Sequence, residues 1–96
     1  TECINLMIRY NMVKTKVVFY SAPWCNGCSR MKPKFYDICR ENNVSFEVVD
    51  VEEPDGVARS IKYGIRNVPT LVFMRGGKEI GRAKGNESYL AILKYV

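Results

Sequence analysis

Cys25 and Cys28 are separated by two residues. They stand directly after the apolar run Val17-Val18-Phe19-Tyr20 and directly before a segment of helical periodicity. Two thiols on such a strand-to-helix turn can close a small disulfide at a helix start, where free backbone N–H groups and the positive end of the helix dipole favour a thiolate. The thiolate is the species that attacks disulfides. The same spacing is also half of a zinc site, which needs a second pair of thiols or histidines to be complete. The chain has no histidine, and Cys3 and Cys39 lie at spacings from the pair that follow no zinc pattern. Redox chemistry is therefore the first reading of the pair, with metal binding and plain packing as alternatives.

The elements that position the pair follow from periodicity. The β-branched and aromatic run from Thr15 to Tyr20 predicts a buried central strand, ended by Ser21, Ala22 and Pro23. A helix is expected from Cys25 or Asn26 to Glu41, with Cys28, Met31, Phe35 and Ile38 recurring on one face. Pro33 falls inside it and predicts a kink, and Asn42-Asn43 stop it. A second strand is expected from Phe46 to Val51. Asp55 would then cap a short helix carrying Val57, Ala58 and Ile61, closed by Gly64. Thr70 to Met74 predicts a third strand, joined through Gly76-Gly77 to a fourth from Lys78 to Lys84 as an antiparallel hairpin. Asn86 would cap a last helix whose packing stripe is Tyr89, Leu90, Leu93 and Val96. Residues 1–14 read as an extension that forms a short strand or helix, because their apolar residues satisfy both periods.

This order predicts an α/β domain over residues 15–96, with a mixed four-stranded sheet and helices on both faces. A helix between the first two strands makes them parallel. Functional groups in such sheets collect beyond the carboxyl ends of the strands, which is where Trp24 to Cys28 falls.

At 96 residues the chain supports one small domain, and its 47% apolar content suits a globular protein. No apolar run is long enough to cross a bilayer, and the opening residues lack the order of a secretory signal. The expectation is a cytoplasmic protein in a reducing compartment, monomeric and with no membrane partner. Of the formal +5 charge, Arg30, Lys32 and Lys34 follow the pair, while Glu47, Asp50, Glu52, Glu53 and Asp55 cluster downstream. The basic residues either favour a nearby thiolate and steer acidic partners or simply form a solvated helix face. They are scattered over the chain with no binding motif, which argues against a nucleic-acid partner.

Three separated motifs in order carry a family resemblance. The run Val18-Phe19-Tyr20-Ser21-Ala22-Pro23-Trp24-Cys25-Asn26-Gly27-Cys28 with Pro33, the run Tyr63-Gly64-Ile65-Arg66-Asn67-Val68-Pro69-Thr70-Leu71, and Gly76-Gly77-Lys78-Glu79 with Gly85 resemble the thioredoxin family. The resemblance implies a thioredoxin-like fold with a shortened front end and a thiol-disulfide oxidoreductase that reduces protein disulfides. By the same resemblance Cys25, exposed at the helix start, is the nucleophile, and Cys28, one helical turn deeper, is the resolving thiol. Pro69 is cis against the pair, Thr70 supports it, the Val68 backbone pairs with an extended substrate segment, and Trp24 belongs to the contact surface. No cofactor is expected beyond the redox-active Cys25–Cys28 disulfide. Electrons would come from a thioredoxin-reductase-like NADPH flavoprotein, or from glutathione. A glutaredoxin-like reductase and a redox-inactive interaction module on the same fold are the alternatives.

The chain departs from the family pattern in ways that bear on chemistry. Phe19 stands where the family usually carries a buried aspartate thought to assist proton transfer at the second cysteine, and Val48 stands near the place of its lysine partner. Water, Glu47 or Asp50 would have to take that role. Asn26-Gly27 replaces the usual Gly-Pro, which adds backbone freedom at the helix start. The pair Cys-Pro-Tyr-Cys and the Gly-Gly-Xaa-Asp signature of glutaredoxins are absent. Cys39 is expected as a small core residue and Cys3 at the surface.

Overall fold

The computed structural model describes residues 15–85 and 88–95. The expectations for residues 1–14, for Cys3 and for the cap at Asn86 lie outside them. The chain runs through β1 (Lys16–Ser21), α1 (Asn26–Glu41), β2 (Ser45–Asp50), α2 (Pro54–Lys62), β3 (Thr70–Arg75), β4 (Lys78–Lys84) and α3 (Ser88–Tyr95). The four strands form one sheet in the order β2-β1-β3-β4, so β2 and β4 are the outer strands among the described residues. β1 and β2 are parallel, with Phe19 opposite Val48 and Val18 opposite Glu47. β1 and β3, and β3 and β4, are antiparallel. Gly76 and Gly77 both take positive φ in the β3–β4 turn, a conformation that glycine adopts without steric cost.

Side chains alternate across the sheet and so build two cores. On one face Val17, Phe19, Leu71, Phe73 and Ala83 pack with Met31, Phe35 and Cys39 of α1 and with Ile92 of α3. Phe35 meets Phe19 and Phe46 edge-on, with ring centroids 4.9 and 5.4 Å apart. On the other face Val18, Tyr20, Val49 and Val72 form a smaller core. There α2 comes so close that a β-carbon on Gly56 would lie 1.8 Å from the Asp50 carbonyl oxygen.

Several boundaries and faces differ from expectation. α2 begins at Pro54 with Glu53 as the cap, because proline at the first helical position has a preset φ; Asp55 sits inside the first turn. Val57 and Ile61 of α2 are exposed, and the residue this helix buries is Gly56. In α3 Ile92 is buried while Leu93 is 57% exposed, so Leu93 is not in the packing stripe as expected; the expectations for Tyr89, Leu90 and Val96 lie outside the described side chains. β2 ends at Asp50, although the Val51 N–H still donates to the Ser21 carbonyl at 2.9 Å.

Glu47 is on the α2 side of the sheet, where it accepts from the Arg59 guanidinium, 3.0 Å for one pair, and from Lys16 at 3.1 Å. The Arg59 hydrogen bond first, and then Lys16, hold its carboxyl well down, from an ordinary 4.5 to about 2. A carboxyl whose folded value is depressed contributes stability that is fully present above the unfolded value and is lost as pH falls through the folded one. Acidification from pH 5 to pH 2 is therefore expected to destabilise the protein, and Glu47→Gln to flatten that loss. Because the pair is partly solvated, the effect at neutral pH is small. Urea unfolding midpoints for both proteins across this range are the check.

Candidate functional site

The carboxyl end of β1 runs through Ala22 and Pro23 into the start of α1, and Cys25 is the cap of that helix. The Cys25 N–H donates to the Ala22 carbonyl at 3.1 Å, which fixes the turn. The Cys28 N–H donates to Cys25 Sγ at 3.1 Å, so the sulfur fills the place that a capping side-chain oxygen takes in other helices. Cys25 and Cys28 are joined as a disulfide. Cys28 is fully buried at the top of the α1 core, and Cys25 is 8% exposed. That corrects the expectation of an exposed nucleophile: the Cys25 side chain belongs to the buried cluster.

The pair faces the loop before β3. The Val68–Pro69 peptide bond is cis, and a β-carbon on Gly27 would stand 3.8 Å from Pro69 Cδ, which is ordinary contact. Thr70 is buried, and its hydroxyl donates to the Asn67 carbonyl at 2.6 Å, closing the turn that carries Pro69. The Gly85 N–H donates to the Pro69 carbonyl at 3.2 Å. Cys25, Asn26, Gly27, Cys28, Val68, Pro69 and Thr70 thus lie around one end of the sheet. Pro33 does not: it lies further along α1 and is exposed.

Trp24 is 65% exposed, so it is not a core residue. Its indole Nε1–H donates to Glu52 Oε1 at 2.7 Å, while the Glu52 N–H donates to Asp50 Oδ1 at 2.8 Å. The turn after β2 therefore holds the indole beside a shallow groove of about 420 Å³, lined by Val57, Ile61, Ile65, Arg66 and Val68 among others. Sequence reading missed this groove and the role of Glu52. Ile61, 76% exposed on a helix that packs by a glycine, lines it, and helical spacing carried no signal of that exposure.

The two carboxylates considered as proton acceptors are both engaged elsewhere. Glu47 is on the opposite face, tied to Arg59 and Lys16. Asp50 ends β2 and accepts from the turn that follows it. Among the described residues no group of three or more His, Cys, Asp or Glu side chains is arranged to hold a metal. Cys39 is eleven residues beyond Cys28 on the same helix, about 16 Å along its axis. Burial pushes the Cys39 thiol up to about 11. Folded protein treated with iodoacetamide at pH 8 is therefore expected to carry no label on Cys39, and protein unfolded in urea to carry it; peptide mass spectrometry reads both.

A disulfide at a strand-to-helix turn, its outer sulfur capping the helix and a cis proline opposite, on a four-stranded mixed sheet, defines a small α/β thiol–disulfide domain. The chain belongs to the thioredoxin family, whose model, described as Thioredoxin, matches residues 8–96. It is 41% identical to Thioredoxin H2-1 of Oryza sativa subsp. japonica over 76 residues, 78% of this chain and 54% of that protein. To the Mus musculus thioredoxin it is 36% identical over 73 residues, 75% of this chain and 68% of that one. The X-ray structure of Fasciola hepatica thioredoxin superposes with a TM-score of 0.79 at 32% identity, covering 97% of this chain and 91% of that chain. The chain spans about half the length of the rice relatives it matches, 54% and 55%.

Proposed function

We propose that this chain is a thiol–disulfide oxidoreductase that reduces disulfides in partner proteins. The observation that carries this reading is Cys25 Sγ at the helix cap, disulfide-bonded to Cys28 and accepting its N–H, opposite Pro69. In the reduced state the same N–H and the helix dipole favour a thiolate on Cys25. That thiolate attacks one sulfur of a partner disulfide, and the other partner sulfur leaves with the electron pair and takes up a proton. Cys28 then attacks Cys25, the second partner sulfur leaves reduced, and the Cys25–Cys28 disulfide is restored. The exposed Trp24 indole and the apolar groove beside it support docking of an extended partner segment along Val68 and Pro69.

Turnover requires a donor of two electrons. The family suggests an NADPH-dependent flavoprotein of the thioredoxin-reductase type, and we place the protein as a monomer in the reducing cytoplasm. Insulin reduction driven by dithiothreitol, run beside a glutathione-coupled assay on a small mixed disulfide, tests the assignment. Insulin reduction with weak glutathione turnover supports it. The reverse pattern moves the chain to the glutathione-dependent class, and no turnover in either assay leaves only an interaction module.

A further inference from the structure

Asn26-Gly27 fills the interval between the two cysteines, and no step of the reduction above uses the Asn26 amide. Both residues are exposed. An asparagine side chain can close on the backbone nitrogen of the residue that follows it, and glycine favours this because it has no β-carbon to shield that nitrogen and its backbone bends freely. Every other asparagine of the chain precedes a residue with a side chain: Leu6, Met12, Asn43, Val44, Val68 or Glu87.

The local structure leaves the attack open. Asn26 and Gly27 are the first two residues of α1, and the N–H groups of a first turn have no carbonyl within the helix to donate to. The ladder of α1 starts beyond them, with the Ser29 N–H donating to the Cys25 carbonyl at 3.2 Å. Ring closure requires Asn26 to rotate about ψ away from its helical value. Cys25 before it is already extended, with φ −86° and ψ 102°. The rotation gives up the Ser29 bond and spares the later turns, and helix ends are where local opening costs least. The attacking nitrogen and the carbonyl oxygen it drives out of the double bond gain negative charge at the positive end of the α1 dipole. The first turn carries no acidic residue, so a carboxylate formed there meets the same favourable field.

We propose that Asn26 is a self-modification site, where the Gly27 nitrogen displaces the side-chain amide and hydrolysis leaves aspartate or isoaspartate beside Cys25, slowing that thiolate. The Gly27 nitrogen loses its proton to water and bonds to Asn26 Cγ. The Cγ–Nδ2 bond breaks, and ammonia leaves with the electron pair and a proton. Water then opens the five-membered imide, and the Gly27 nitrogen recovers its proton. Opening at Cγ gives aspartate; opening at the main-chain carbonyl carbon gives isoaspartate, whose longer backbone enlarges the loop that the disulfide closes. One water is consumed, one ammonia is released, and nothing is oxidised or reduced. Either product puts a negative charge one residue from Cys25, and a like charge disfavours a thiolate. That slowing of partner capture rests on the reductase reading above; the modification does not.

The first experiment holds oxidised full-length chain at pH 8 in heavy-oxygen water for weeks. Peptide mass spectrometry with enzymatic methylation of isoaspartate reads each asparagine. Asn26 is expected to take up heavy oxygen at least about tenfold faster than Asn42, Asn43 or Asn67. A β-carbon at Gly27 meets Pro69 Cδ at 3.8 Å, ordinary contact, so Gly27→Ala is expected to fold and to slow conversion of Asn26 about tenfold. Conversion of Asn26 no faster than of the other three, or unchanged in folded Gly27→Ala, overturns the site. If Gly27→Ala does not fold, the comparison among wild-type asparagines decides alone. The second experiment follows reduced proteins at pH 7 for alkylation of Cys25 by iodoacetamide and for adduct formation with a peptide disulfide. Asn26→Asp is expected to be about three- to tenfold slower than wild type in both, and slower than the neutral Asn26→Gln. Asn26→Asp as fast as wild type, or no slower than Asn26→Gln, overturns the effect on Cys25. If Asn26 converts and alkylation slows but no protein forms an adduct, the reductase reading falls and the modification stands.

Discussion

Cys25→Ser is expected to abolish disulfide reduction, with insulin turnover falling by about 10³-fold or more, because removing the attacking thiolate removes the covalent route altogether. Cys28→Ser is expected to lose turnover to a similar extent by a different path. Its Cys25 still captures partner disulfides, and the adduct stays until an added dithiol releases it. Mass spectrometry of the two variants after incubation with a peptide disulfide separates these outcomes: no adduct for the first, one partner-mass adduct for the second. Comparable adducts on both proteins would mean that the nucleophile lies elsewhere, and Cys3 and the buried Cys39 would then have to be tested.

Phe35→Ala is the substitution expected to cost most in stability. Its ring is fully buried and sits between Phe19 of β1 and Phe46 of β2, with Tyr36 beside it. Truncation forfeits the transfer energy of a large side chain, leaves a cavity and removes edge-on ring contacts, together about 4 kcal/mol. Against a typical total of roughly 5–15 kcal/mol this is a large share. For a chain of this size it corresponds to a fall in Tm on the order of 15–30 °C. Calorimetry and urea unfolding measure it directly, and a loss below about 1 kcal/mol would contradict the packing described. The same ring seats the helix that carries Cys28, so the inner thiol is expected to become reactive to alkylation in the reduced variant.

The sequence carried the site more completely than it carried the surface around it. The Cys25–Cys28 spacing, the apolar β1 run and the Gly76-Gly77 turn are local signals, and each corresponds to a local feature of the structure. The thioredoxin fold expected from the three motifs is the fold observed. Glu47 shows where local reading stops. On a parallel pair the face of a residue depends on register, and Val18 opposite Glu47 puts that carboxylate behind the sheet from Cys28. The Trp24–Glu52 hydrogen bond joins residues 28 apart, and nothing in either segment alone announces it. Likewise the exposure of Ile61 could not be read from helical spacing, because α2 approaches the sheet through Gly56 instead of through its aliphatic residues. Cys25 was expected to be exposed because it stands at a helix start, but its side chain is 8% exposed and joins the cluster around Phe19 and Phe35, which depends on tertiary packing.

Among the described residues, the sheet order leaves two rows of backbone groups, along β2 and β4, with no strand beside them. Such rows are templates for lateral stacking of identical molecules into aggregates. β4 carries Lys78, Glu79, Arg82 and Lys84 within seven residues, and β2 carries Glu47 and Asp50 within six. A second molecule adding in register at either margin would have to bring like charges together or strip water from them, which disfavours fibre growth while leaving the cysteine-bearing end of the sheet unencumbered.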